Sequence, residues 1–566
     1  MPQESSLRAA FLLASCLAVN PANPAIVSQE GARPLSRWAL LLICVAYLLP
    51  GQLAREPWRH GDLSTFGFMA ALAHGSSNWW HPTLAGLATP DGALRPYWLG
   101  ALGIKALPML DPALAARLPF VVMLAAVLAL VWYASFHFAR TDAAQPVAFA
   151  FGGEAGAVDY ARALADGAVL ALIASLGLIR IGHEATSALP QLLGGSLWLY
   201  TLAVAPYREW RAQMLVVLAL VLLTFSGAPF VALMLGLTGL LICHHSRFDG
   251  ARRLRVGLLL GVLVAGSSAL LTHAWAWRVE ALQINSLARL LAWFVWPSAA
   301  LALWTLWRWR SHLGDRHIAV PLALTGVGVL ACVSMGGSDR ALVVALPGLA
   351  VLASFALPTL NRSVSAMVDW FSLFLFSTLA VVIWAYYLAM HTPWLPRMWA
   401  SVQRQAPAFQ PQFEWLALVV ATAGTLAWLA LVRWRTSRQR AALWRSLVLP
   451  AGGLVLAWLL VMTLWRPAAD HALGHRALLG QLRQALPPNA DCIAAPGQSL
   501  DLLATLEAQG GWLVDARSAL AQTDCHWALL RLGRQEQPRL PTGWLTHRVL
   551  IRPAELNTRY WIITRR

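Results

Sequence analysis

Between residues 38 and 465 the chain repeats one pattern: an apolar run, a short polar connection, then another apolar run. The runs lie at 38–50, 118–138, 167–181, 185–204, 214–225, 230–242, 256–271, 290–307, 318–333, 341–357, 371–390, 416–432 and 446–465. A bilayer core takes roughly 20 apolar residues in an upright helix, so these are about 13 candidate crossings, several of them short. Composition agrees: 58% of the 566 residues are hydrophobic, 12% are charged, and the mean hydropathy is +0.57. Inside lipid every backbone polar group must be satisfied within its own segment, so the expected class is an all-α polytopic membrane protein.

The formal charge of +17 does not imply a nucleic-acid partner. The arginines gather in short connections, YREWR at 207–211, HHSRFDGARRLR at 244–255, RWRSHLGDRH at 308–317 and RWRTSRQRAALWR at 433–445, where positive charge sets topology. The alternate connections, SGAP at 226–229, MGGSD at 335–339 and the stretch 391–414, are poorer in arginine for their length. An odd number of crossings with a cytoplasmic N-terminus places two polar regions outside: the first loop, 54–116, and the tail, 466–566. Residues 1–32, with an apolar run at 9–19 and the Pro-rich NPANPAIVSQEG, read as a disordered or dispensable extension, a signal peptide being the other reading. The membrane domain then spans 33–465.

In the tail, helical patterns at 472–485 and 500–509 alternate with the β-rich runs CIAAP, GWLV, HWALLRL, HRVLI and YWIIT. About 100 residues can bury a small core, which predicts a compact α/β domain. Cys492 and Cys525 each open a strand after an Asp, and an oxidising outer compartment permits a disulfide between them. The remaining cysteines at 16, 44, 243 and 332 lie in or beside apolar stretches, as small hydrophobes do.

The first loop carries the polar residues that need a reason: REPWRHGDLSTFGFMAALAHGSSNWWHPTLAGLATPDGALRPYWLGA at 55–101. From Asp62 onward, Leu63, Phe66, Met69, Ala70 and Ala73 recur at helical spacing, predicting a short amphipathic helix on the membrane surface. By residue type alone Asp62 reads equally as an N-cap or a site residue, and Asp91 as the start of a turn. Trp79, Trp80, Tyr97 and Trp98 suit interfacial anchors.

Taken together, Asp62, then Asn78 with Trp79 to Pro82, then Asp91, then Tyr97, Trp98, Gly100 and Ala101, form an ordered series. This series resembles the first external loop of GT-C glycosyltransferases that use a lipid-phosphate sugar donor, above all the bacterial lipid A aminoarabinose transferases, with protein mannosyltransferases as wider relatives. That loop has a leading acid, a surface helix, a "DW...P" element, "EKPP" and "YW.GA". Arg117, Leu118 and Pro119 match the opening of the family's second span, and GSDRALVVALPGLAVLA at 337–353 resembles a later segment. The match is specific in the first loop and architectural elsewhere. Leu63 follows Asp62 where the family has a second acid, Gly92 replaces the Lys of "EKPP", and SGAP stands for a KGP element before the sixth span.

The resemblance implies a membrane glycosyltransferase of the bacterial inner membrane with its tail in the periplasm. It would move a monosaccharide, with inversion, from a polyprenyl-phosphate donor to a lipid A-like lipid, a glycan or a protein. Asp62 would orient or deprotonate the acceptor, with Glu184 the nearest candidate for a second carboxylate. Cations would meet the leaving phosphate: Arg59, Arg95 in place of the absent Lys, Lys105 and Arg340. Asp91, Tyr97 and His183 complete the candidate substrate contacts. Each cation also has a plainer reading as a lipid-headgroup or helix-end partner. No metal-ligand spacing stands out, and His244 and His245 fall on the inner side; a divalent cation stays open as a cofactor. The competing readings are a transporter or flippase of a lipid-linked sugar, and a scaffold whose outer domain binds a partner; no internal repeat supports the first.

Overall fold

A chain crossing lipid must close its backbone hydrogen bonds locally, and each apolar run of the sequence falls on a helix. The computed structural model describes residues 23–566 except 54, 60, 246–247, 273, 276–278, 437–441, 489, 553–554 and 556. Among the described residues, seven helices are long and apolar enough to cross a membrane by length and composition. Shorter apolar helices, Arg37–Leu48, Ala188–Val204 and Pro229–His245, lie beside them. The run at 290–307 is not one straight span. Helices Ile284–Trp293 and Ser298–Arg308 meet at 86°, with Pro297, which has no backbone N–H, at the break. An apolar sequence on all sides marks a helix for the interior, and Leu346–Ala356 is buried along its whole length. It continues the short helix Asp339–Leu342, which carries Arg340.

Residues 1–22 of the expected extension, including its apolar run, lie outside the described residues. Residues 23–32 are packed: Ala25, Val27 and Ala32 are buried, and the backbone at 25–29 bonds to that at 147–155. This part of the expected disordered extension is therefore built into the fold.

The first loop folds into helix Asp62–His74, a hairpin of β1 (Thr83–Leu84) and β2 (Leu87–Ala88), and helix Arg95–Ala106. The expected helix after Asp62 is present, but it does not lie with one face on a membrane surface. Nearly every residue from Asp62 to Leu72 is buried. The reason is a second packing partner: Gly67 lies so close to Ala504 that a Cβ would stand 2.6 Å from the Ala504 Cβ.

That partner belongs to the tail. Its strands are β3 (Cys492–Ala494), β4 (Leu513–Asp515), β5 (Trp527–Gly533), β6 (Trp544–Leu550) and β7 (Thr558–Arg565), in the order β4-β3-β5-β7-β6. β3 runs parallel to both β4 and β5, while β7 is antiparallel to β5 and β6. Cys492 opens β3 and Cys525 precedes β5; with Ile493 opposite Trp527, the register sets the two cysteines side by side. They form a disulfide, with Cα atoms 5.1 Å apart. The tail clasps the hairpin through the Ala85 N–H, which donates to Glu507 Oε2 at 2.7 Å, and the Ala516 N–H, which donates to the Ala85 carbonyl at 3.3 Å.

Candidate active site

The first loop, the start of the second span and the turn at 182–187 converge on one carboxylate. Asp62, 2% exposed, opens its helix directly after Gly61, whose φ of +134° few side chains adopt. A Cβ at Gly61 would collide with the Arg340 guanidinium, so glycine is what lets that cation reach the start of the helix. Asp62 Oδ2 accepts from Arg55 Nη2 at 3.0 Å and Arg117 Nη2 at 3.3 Å, and Oδ1 accepts from the Ala185 N–H at 3.0 Å. Arg55 also donates to the His183 carbonyl at 2.8 Å, and Arg117 donates to the Arg55 carbonyl. Burial by itself would raise the Asp62 pKa, but the two guanidiniums and the amides of Ala185 and Trp58 outweigh it and hold the acid below its ordinary value.

Glu184 sits on the other side of the same turn. It pairs with Arg180 Nε at 3.5 Å and Arg340 Nη2 at 3.5 Å, and Arg180 also pairs with Asp339 at 2.7 Å. Burial first, then the Asp62 charge, push its carboxyl up to about 7 against the pull of the arginines. Two acids brought to one turn from distant parts of the chain are thus driven in opposite directions, one a fixed anion and the other able to exchange a proton near neutrality.

Two cavities flank this network. One, of about 350 Å³, is lined in part by Asp91, Gln191, Glu280, Ser338 and Arg340. The second, of about 600 Å³, is lined in part by Arg180, Arg289, Trp293, Ser338 and Asp339. Ser338 borders both, and Glu184 joins the arginine of one to the arginine of the other. Asp91 is held in place by the Tyr97 hydroxyl, which donates to Oδ1 at 2.9 Å, and by the Ala93 N–H at 3.2 Å. The SGAP turn presses on it: a Cβ at Gly227 would stand 2.7 Å from the Asp91 carbonyl oxygen.

The structure therefore brings together Asp62, His183, Glu184 and Arg340, with Asp91 on the cavity that Arg340 lines and Tyr97 bonded to Asp91. His183 is 1% exposed, its ring nitrogens lie 2.8 Å from the Tyr47 carbonyl and 2.7 Å from the Ile179 carbonyl, and it borders neither cavity. Burial lowers its pKa to about 4, so it serves as a neutral tie between the first span and the turn. Asp62 and Glu184 reach the cavities only through Arg340 and Arg180, and Arg59, Arg95 and Lys105 also border neither cavity. Arg59 pairs with Glu555 of the tail, and Lys105 lies 5.3 Å from the Trp79 ring centre. Arg95 is half-buried at the start of its helix, and that burial lowers its pKa. Among the described residues no group of three or more His, Cys, Asp or Glu is placed to hold a metal.

Sequence reasoning missed Arg55, Arg117 and Arg180 as site residues. Arg117 carried a signal: a lone arginine opening an apolar run is costly unless it has a partner, and the partner was the acid already singled out.

No family model and no curated protein matches this chain. Two solved structures are similar: ArnT from Cupriavidus metallidurans bound to undecaprenyl phosphate, with a TM-score of 0.60, and ArnT from the same organism in the apo state, with 0.58. The fold is ArnT-like. Identity is 13% in both, and the alignments cover 93% of this chain and 98% and 97% of those chains. The ArnT-like architecture thus includes the tail domain as well as the helices, and the chemistry of the site rests on the residues described above.

Proposed function

We propose that this protein is an integral-membrane glycosyltransferase that moves a monosaccharide from a polyprenyl-phosphate donor to a lipid A-like lipid, a glycan or a protein. The observation that carries the reading is the pair of oppositely driven acids, Asp62 and Glu184, beside cavities edged by Arg340 and Arg180, in a fold shared with a protein that binds undecaprenyl phosphate. In such a transfer an acceptor hydroxyl attacks the anomeric carbon while the lipid phosphate leaves. Glu184 takes the acceptor proton, since its pKa lies near 7. Asp62 stays anionic, keeps Glu184 basic and fixes the turn that carries it. Arg340 and Arg180 neutralise the leaving phosphate, and Asp91 with Gln191 and Glu280 contacts sugar hydroxyls in the smaller cavity. Attack opposite the leaving phosphate inverts the anomeric centre.

About 13 crossings, with the N-terminus in the cytoplasm and the tail in the periplasm of a bacterial inner membrane, complete the reading, and the arginine-rich connections support that orientation. The test is a pH profile of sugar transfer. The wild-type rate rises through a limb near pH 7; Glu184→Gln loses that limb and about 10² to 10⁴ of the rate. An unchanged profile in the variant removes Glu184 from the chemistry. The broken helix pair at 284–308 favours a second reading, a flippase for the lipid-linked sugar, because interrupted spans are common in transporters. Lipid flipping in vesicles with no glycosidic product would select it.

A further inference from the structure

A larger cavity, about 1580 Å³, lies at the opposite end of the Arg37–Leu48 helix from Asp62. Helices Arg362–His391 and Arg445–Leu460 begin there and Trp415–Thr436 ends there, so the cavity sits at one membrane surface, on the arginine-rich side. Part of its wall is apolar, including Ile43 and Leu431. Its charges are Arg33, Arg362, Arg435 and Arg445 against Glu30 and Asp369. Arg362 stands at a helix N-terminus, where the backbone dipole is already positive and a cation is unfavourable without an anion nearby. Arg435 pairs with Asp369. Exposed Arg33 and Arg362 at a mouth with an apolar wall fit a ligand that offers a phosphate and hydrocarbon together.

We propose that this cavity binds one anionic phospholipid, such as phosphatidylglycerol, from the leaflet facing the arginine-rich connections. The guanidiniums of Arg33 and Arg362 meet the lipid phosphate, and an acyl chain follows the apolar wall. The site is separate from the transfer chemistry and does not depend on it.

The full chain is equilibrated in detergent with equal amounts of dioleoylphosphatidylglycerol and dioleoylphosphatidylcholine, and retained lipid is counted by native mass spectrometry. Phosphatidylglycerol is expected to be retained over phosphatidylcholine. The double variant Arg33→Gln, Arg362→Gln, whose side chains are exposed and whose Tm should not move, retains about tenfold less. Equal retention of the two lipids, or retention unaffected by the double variant, overturns the proposal. Complete displacement by inorganic phosphate makes it a free-anion site instead. A chain lacking residues 1–22 that retains about tenfold more phosphatidylglycerol would make that segment the occupant and likewise overturn it.

Discussion

Asp62 shows how one residue can be legible in kind and illegible in role. Its position before a helix suits an N-cap, but its oxygens face two guanidiniums and the Ala185 amide from a distant turn. Substituting Asn therefore does more than remove a charge. Two buried arginines lose their counter-ion, and breaking a buried pair typically costs about 3–5 kcal/mol. Asp62→Asn is expected to lower the Tm measurably as well as abolish transfer, whereas Glu184→Gln keeps the wild-type Tm; thermal unfolding in detergent separates the two. The sign with pH follows from the depressed Asp62 value: its contribution is present above the unfolded pKa and is lost as pH falls through the folded one.

At the scale of elements, the helix Asp62–His74 is where the first loop packs against the tail. Its apolar spacing predicted a helix and its one-sided pattern predicted a surface, but pattern cannot reveal a second partner arriving more than 400 residues later in the chain. Gly67 is the point of closest approach, and a larger residue there has no room against Ala504. Gly67→Val should destabilise the chain by about 1–3 kcal/mol, read as a lower Tm, with the tail rather than the membrane helices becoming protease-sensitive. A second clamp is Glu555, which takes Arg59 from the loop, Arg552 at 3.1 Å and the Tyr560 hydroxyl at 2.7 Å. Burial opposes its charge, but that hydroxyl and the surrounding arginines win, and its pKa falls to about 2. Its stabilisation is full above the ordinary value of 4.5 and disappears as pH drops towards 2. Limited proteolysis across that window should release the tail of the wild type only in acid, and that of Glu555→Gln at neutral pH as well.

At the scale of the whole molecule, the tail braces the loop that carries Asp62. A chain ending at residue 465 keeps Asp62, Glu184, Arg340 and Arg117, yet loses the partners of Ala85, Gly67 and Arg59. It is expected to insert and lose transfer, with the first loop newly open to protease; retained transfer would show that the loop holds its shape alone. Membrane class, the approximate helix positions, the tail strands and the cysteine pair were legible by themselves, because hydrophobic periodicity and strand composition are local properties of neighbouring residues. The residues at 23–32, the 86° break at Pro297 and the burial of the first loop were not, since each depends on what packs against it. The site divides the same way. Resemblance to a family motif singled out Asp62 and made Glu184 and Arg340 candidates, while Arg59 and Lys105 matched Arg340 in chemistry and were placed elsewhere by packing. Which cation meets which carboxylate depends on a few ångströms across elements far apart in sequence, and charge interactions in a buried site are strong enough for that distance to decide whether an acid stays ionised or carries a proton.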